Sequence, residues 1–216
     1  MDLNGALRLA AVRIVLSGRE LIAPLDLVVA SGEQVTVMGP SGCGKSTLLA
    51  FVSGTLDPVF NASGRVLIGE TDVTALPPER RRIGIQFQDD LLFPHLSVGE
   101  NLAFALMSSV RGKEERRAHV QQALIEAELD GFIDRDPVTL SGGQRARVAL
   151  MRTLLSEPKV LLLDEPFNKL DAQLRNEFRR FVFEHAAARG LPTLLVTHDA
   201  ADAAAAGGRV IRLGNG

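Results

Sequence analysis

The chain has no tryptophan, no tyrosine and one cysteine, Cys43, among its 216 residues. A single cysteine excludes any intrachain disulfide, and with it a disulfide-framed secreted scaffold. No apolar run approaches the ~18–20 residues that span a bilayer. Neither charge sign dominates: 24 basic residues face 26 acidic ones, a formal net charge of −2. That balance argues against a strongly basic nucleic-acid binder, so no nucleic-acid partner is expected. The stretch from Met1 to Arg8 lacks the layout of a signal peptide. A chain facing the cytosol is therefore expected, held at a membrane only if something else holds it there. What is present is ordinary globular material: 46% hydrophobic and 23% charged residues, enough for a core without metal or disulfide staples.

Short aliphatic runs alternate with longer amphipathic stretches. Residues 34–38 read as a strand, and a glycine-rich turn follows. Ser46 to Ser53 reads as a helix closed by Gly54. Residues 64–69 read as a short strand between turn residues. Residues 160–163 and 193–197 are uninterrupted aliphatic runs, each entering a polar cluster, which suits parallel strands buried on both faces. Residues 210–213 suit a last strand, and the alanine-rich 200–206 a helix. Residues 89–155 are mostly helical in pattern and read as a helical subdomain inserted into an α/β core. The whole chain, 1–216, then forms one domain.

Three motifs carry chemistry. Gly39-Pro40-Ser41-Gly42-Cys43-Gly44-Lys45-Ser46-Thr47 matches G-x-x-x-x-G-K-S/T, after a strand and before a helix. Its glycines let successive backbone N–H groups turn toward phosphate oxygens, and the helix start adds its positive dipole end. Lys45 suits the β- and γ-phosphates, and the Ser46 hydroxyl suits Mg²⁺. A turn that binds nothing would match by chance in roughly one chain in a hundred of this length. The second motif, Val160 to Glu165, delivers two carboxylates to the carboxyl end of a strand, where open α/β sheets bind ligands. Asp164 suits Mg²⁺, and Glu165 suits a water that it orients or deprotonates. Taken alone, this motif reads equally well as a strand ending in an acidic turn. The third, Leu140-Ser141-Gly142-Gly143-Gln144, precedes a helical stretch, with Ser141 as a candidate N-cap.

Together the three motifs, in this order, resemble the nucleotide-binding subunit of an ATP-binding cassette (ABC) transporter. The resemblance covers residues 7–213. It implies a P-loop NTPase fold of the α/β class: a RecA-like core with a mainly parallel sheet, an antiparallel β subdomain and an inserted α-helical subdomain. Residues 39–47 match the Walker A loop, and Leu140 to Gln144 the signature motif. Asp164 matches the Walker B aspartate and Glu165 the catalytic glutamate. Gln88 matches the Q-loop glutamine, which contacts Mg²⁺ and water in the family. Asp171 closes the D-loop, and His198 matches the switch histidine at the γ-phosphate. The resemblance implies ATP and Mg²⁺ as cofactors, and catalysis by Glu165, His198, Lys45 and Gln88. It implies a head-to-tail pair of cassettes in which Ser141, Gly142, Gly143 and Gln144 of one copy cover nucleotide on the other.

The stretch Asp89 to Leu102, with Leu91, Leu92 and Phe93 as candidate anchors, is similar to importer cassettes. The resemblance is to a minimal bacterial importer-type subunit, like thiamine-type or uncharacterised small-solute systems. It implies transmembrane permease subunits, a solute-binding protein and a peripheral place on the cytoplasmic face of the inner membrane. An exporter or lipid-extracting complex, and a soluble ABC ATPase for DNA or cofactor assembly, are the competing readings. Two departures stand out. Asn168 replaces the usual D-loop serine, and Leu16 stands where the family carries an aromatic that stacks on adenine. Cys43, within Walker A, reads as a small residue in a permissive slot. Base stacking is worth ~1–3 kcal/mol, so an aliphatic at Leu16 implies weaker ATP affinity and poorer base discrimination. Leu16→Tyr is expected to tighten ATP over GTP in equilibrium binding; equal affinities for both, unchanged by the substitution, would remove that expectation.

Overall fold

The computed structural model describes residues 5–214. Among the described residues nine strands and seven α-helices divide between two compact units. Of those residues the first unit holds 5–85, 159–165 and 183–214, and the second holds 86–158 and 166–182. Among the described residues no helix is long and apolar enough to cross a membrane.

The first unit contains two sheets. β1 (Leu7–Leu16) pairs antiparallel with β2 (Arg19–Val29) on one side and with β4 (Phe60–Ile68) on the other. The short β5 (Thr71–Asp72) completes that sheet in the order β2-β1-β4-β5. The second sheet has the order β6-β7-β8-β3-β9, from β3 (Gln34–Met38), β6 (Ile83–Gln86), β7 (Val160–Asp164), β8 (Thr193–Thr197) and β9 (Arg209–Arg212). The β7-β8, β8-β3 and β3-β9 pairs are parallel. β8 is buried along its whole length and β7 up to Leu163, as continuous aliphatic runs require when both faces are covered. The alternating apolar residues of β1, β2 and β4 meet α1 (Lys45–Ser53) and β3, β7 and β8 in one core containing Leu9, Ile14, Ile22, Leu48, Val52, Val160 and Val196.

Arg81, at the end of the short α2 (Pro78–Arg81), is a buried polar anchor of this unit. Its guanidinium donates to the carbonyls of Phe51 at 2.9 Å, Val52 at 2.8 Å, Leu76 at 2.8 Å and Thr74 at 2.6 Å. Two of those carbonyls belong to the last turn of α1, which has no basic residue of its own to complement its negative end.

The second unit is helical. α3 (Val98–Phe104), α4 (Lys113–Glu126) and α5 (Gly142–Leu155) contact one another. Two starts carry reciprocal capping boxes, Ser97 with Glu100 on α3 and Ser141 with Gln144 on α5. α6 (Ala172–Ala188) is shared: its residues to Val182 belong to the second unit and the rest to the first. α7 (Ala200–Ala206) belongs to the first.

The sequence pattern agrees with β3, β7, β8 and α7, and α1 starts one residue early, at Lys45. It differs at β4, which begins at Phe60 rather than Gly64. Asn61, Ser63 and Arg65 are the exposed positions of that strand, so it alternates apolar and polar through Gly64 without a clear run.

Arg81→Met keeps the aliphatic stem and takes the donor from four carbonyls, of which that of Val52 is buried and that of Phe51 keeps the Gly54 amide. With an unmet buried group costing about 1–3 kcal/mol, a stability loss of about 1–3 kcal/mol is expected. It should appear as a lower urea midpoint with an unchanged slope.

Candidate nucleotide site

Three elements of the first unit end beside one another. β3 enters the loop that leads to α1, β7 ends at Asp164, and β8 ends just before His198. At Gly44, the residue before α1, φ is +95°, which only glycine adopts without strain. A Cβ there would also lie 3.1 Å from Ile22 Cδ1.

Lys45 is 5% exposed. Its Nζ donates to the carbonyls of Gly39 at 2.9 Å and Pro40 at 3.1 Å, and lies 3.7 Å from Glu165 Oε1. The Ser46 hydroxyl donates to Asp164 Oδ1 at 2.9 Å. His198 Nδ1 is 2.9 Å from Glu165 Oε2 and can donate to it as the Nδ1–H tautomer. Glu165 is thus held between an ammonium and an imidazole, while its own N–H bonds Val196 O at 3.0 Å. Its φ of +46° is rare for a residue with a side chain. Such strain persists where surrounding structure fixes it, here by bonds on both sides of the residue.

Burial pushes the Asp164 carboxyl above the usual carboxylate range; the Ser46 hydroxyl bond opposes this and the neighbouring Glu165 charge adds to it. A half-buried carboxylate beside a hydroxyl is a hard oxygen pair that suits Mg²⁺, which binds few protein groups and takes its remaining ligands from water and phosphate. Among the described residues no cluster of three or more His, Cys, Asp or Glu could cage a metal. The residues present therefore fit Mg²⁺ shared with a phosphate.

The other expected site residues lie in the second unit. Gln88 is exposed on the segment after β6. Ser141 Oγ accepts from Gln144 N at 3.3 Å, and Ser141 N donates to Gln144 Oε1 at 2.9 Å. A Cβ on Gly143 would meet Leu174 Cδ2 of α6 at 3.2 Å, so the second signature glycine is a close approach between helices. Asp171 Oδ1 accepts from the Gln173 and Leu174 amides at the start of α6. Arg145 ties the signature to the segment after Gln88: it donates to Leu140 O at 2.6 Å and lies 3.4 Å from Asp90 Oδ2. Burial pushes the Asp90 carboxyl up, against the pull of Arg145. Lys169, beside Asn168, pairs with Asp89. A cavity of about 760 Å³, rimmed by Ser97, Glu100, Lys113, Arg116, Arg117 and Asp134, lies in this unit and holds none of the expected chemical groups.

Two contributors escape the motifs. Asn101 is fully buried; its Nδ2 reaches the carbonyls of Phe93, Leu96 and Ser97, and its Oδ1 accepts from Phe93 N at 2.8 Å. Arg152 donates to Asp90 O at 3.3 Å and sits over the Phe93 ring. An asparagine and an arginine on otherwise apolar helix faces were the available sequence signals.

A family profile described as ABC transporter matches residues 22–168. The chain belongs to the ABC transporter family. It is 48% identical over 191 residues to the uncharacterised ABC transporter ATP-binding protein YnjD of Escherichia coli, covering 88% of each chain. It is 44% identical to the Fe(3+) ions import ATP-binding protein FbpC 1 of Haemophilus influenzae, over 91% of this chain and 59% of that one. It is 41% identical to the spermidine/putrescine import ATP-binding protein PotA of Marinobacter nauticus, over 92% of this chain and 52% of that one. The chain thus spans little more than half the length of those two import proteins. Among solved structures, the dimeric post-hydrolysis state of the ATP-binding cassette MJ0796, bound to ADP and Pi, superposes with a TM-score of 0.79 at 32% identity. That match covers 96% of this chain and 94% of MJ0796. The chain is an ABC ATPase with the P-loop α/β fold.

In the metal-free cassette burial disfavours the ionised form of Asp164. A carboxyl with a raised folded pKa costs no stability at low pH, and its cost grows as pH rises above its unfolded value of about 3.8. Asp164→Asn is therefore expected to raise the melting temperature at pH 7 in chelator and to lose that advantage as pH falls toward ~4. A constant difference across that range would contradict the burial argument.

Proposed function

We propose that this cassette powers solute import across the cytoplasmic membrane, as a head-to-tail pair bound to transmembrane permease subunits that a solute-binding protein supplies. The observation that carries the chemistry is the meeting of Lys45, Ser46, Asp164, Glu165 and His198 in one unit. The import reading draws on the printed names of the relatives, which include Fe(3+), sn-glycerol-3-phosphate and spermidine/putrescine import proteins.

In this reading Gly39 to Thr47 wrap the triphosphate with backbone N–H groups. Lys45 leaves the Gly39 and Pro40 carbonyls for the β- and γ-phosphates. Ser46 and Asp164, with Gln88, hold Mg²⁺, which when bound neutralises charge on the phosphate oxygens. Glu165 takes a proton from the attacking water as its oxygen bonds the γ-phosphorus and the bridge to the β-phosphate breaks. The His198 bond keeps that carboxylate oriented. Residues 89–155 act as the inserted helical subdomain. Its Ser141, Gly142, Gly143 and Gln144 cap the nucleotide of the opposite copy, and Asp171 lines the seam. Closure then depends on ATP and reverses after hydrolysis. The place of action is peripheral, on the cytoplasmic face of the membrane.

The test is a pull-down of tagged Glu165→Gln from detergent-solubilised membranes in Mg-ATP, followed by mass spectrometry and an ATPase assay. Turnover is expected to fall by about 10²–10⁴-fold, the usual worth of a general base, with ATP binding retained and a multi-spanning partner recovered. Wild-type turnover would overturn the role of Glu165. Recovery of soluble partners alone would overturn transport, and an export permease would overturn its direction.

A further inference from the structure

α7 is six alanines and one aspartate, Asp202, and that aspartate is fully buried. None of the hydrolytic steps above uses its carboxylate. Ala203 and Ala206 already give this helix buried apolar contacts. An aspartate beside them lowers helix propensity and takes a carboxylate out of water. Acidic side chains are almost never fully buried unless they are paired. The partner of this one lies at the end of β8.

Asp202 Oδ2 accepts from the Thr197 hydroxyl at 2.8 Å. Thr197 is the last residue of β8 and is also fully buried. Its Oγ1 accepts in turn from the Asp199 amide at 3.0 Å. A hydroxyl has one hydrogen and two lone pairs. With the hydrogen committed to Asp202, a lone pair is aimed at that amide. The bonds from Asp202 through Thr197 therefore tie the backbone on both sides of His198, the residue between Thr197 and Asp199. Asp199 Oδ1 also accepts from Ala201 N at 2.7 Å, which joins the same turn to the start of α7.

The ring of His198 depends on this turn. Its side chain is 54% exposed, so packing does not hold it. Its Nδ1 nevertheless lies 2.9 Å from Glu165 Oε2. Glu165 N also donates to Val196 O at 3.0 Å. The end of β8 thus meets Glu165 on both sides of Thr197, once by backbone and once by the imidazole. A loosened turn at Thr197 would carry the imidazole away from Glu165 and leave residues 39–47, on a separate segment, in place.

We propose that Asp202 is a positioning residue for ATP hydrolysis: through the Thr197 hydroxyl it sets the turn that presents His198 to Glu165. The inference deepens the hydrolytic reading above and rests on its role for His198. Being fully buried, Asp202 acts through its neighbours and not on the nucleotide.

The test is single-turnover hydrolysis by the full-length chain, with equilibrium ATP binding and urea midpoints measured alongside. Asp202→Ala removes the acceptor and adds one more alanine to α7. Thr197→Val removes the hydroxyl and keeps the shape; either variant serves if the other does not fold. Each should slow hydrolysis by roughly 10–100-fold, the scale on which a misplaced catalytic group is felt, with ATP affinity unchanged. Asp202→Asn, whose amide oxygen can still accept from Thr197, should keep most of the rate. In a His198→Ala background Asp202→Ala and Thr197→Val should cost nothing further. A lower urea midpoint with a wild-type rate would overturn the proposal and leave Asp202 as an anchor of the fold. Losses that add in full to that of His198→Ala would overturn it too, as would equal losses of rate and ATP affinity. An asparagine variant as slow as the alanine one would remove the hydrogen bond as the cause. A wild-type rate in His198→Ala itself would overturn the role given to His198, a failure separate from the others.

Discussion

Lys45 carries its ammonium into a place where it is 5% exposed, and a charge so placed has to be met by polar groups. Without nucleotide those groups are two carbonyls of its own loop and, 3.7 Å away, the carboxylate of Glu165. The same carboxylate bonds His198. Lys45 and Glu165, the phosphate-binding cation and the hydrolytic carboxylate of the proposed reading, therefore share one electrostatic balance. In that reading a triphosphate brings its own negative charge to Lys45 and weakens the hold of that ammonium on Glu165. Next to this set, Asp164 is half-buried and hydrogen-bonded to Ser46, a carboxyl whose ionised form is disfavoured by that burial.

The parallel sheet makes this balance possible. β3, β7 and β8 lie side by side, so the residues that follow their carboxyl ends converge, although they are far apart in the chain. The aliphatic runs that bury those strands also fix the height at which Asp164, Glu165 and His198 emerge. Glu165 leaves its strand at a φ of +46°, a conformation held by the Val196 carbonyl on one side and by His198 and Lys45 on the other.

In the helical unit the organising groups are polar and mostly outside the motifs. Asn101 pins the segment from Phe93 to Ser97 by its carbonyls. Arg152 and Arg145 reach Asp90 from α5, Arg145 also holds Leu140 O, and Lys169 reaches Asp89. The segment after Gln88, the signature and the segment around Asn168 are thus joined by charge-assisted bonds within one unit. The substitution of Asn168 for the usual serine sits next to the lysine that makes one of those links.

The sequence by itself determined the parts whose physics is local. A glycine-rich loop before a helix, aliphatic runs ending in carboxylates, and a serine three residues before a glutamine each act through neighbouring backbone, so Gly39 to Thr47, Asp164, Glu165 and Ser141 to Gln144 were legible as they stand. Only the tertiary structure decided which distant groups meet. That Glu165 is shared by Lys45 and His198, that Arg81 holds the end of α1, and that Asn101 and Arg152 support residues 90–97 depend on burial and hydrogen bonding between segments with no fixed spacing. The pairing of Phe60 with Leu16 is the plainest case. Small and polar residues at Asn61, Ala62, Ser63 and Gly64 leave the alternation at the start of β4 weak, and strand register is set by what the opposite strand buries rather than by the strand itself.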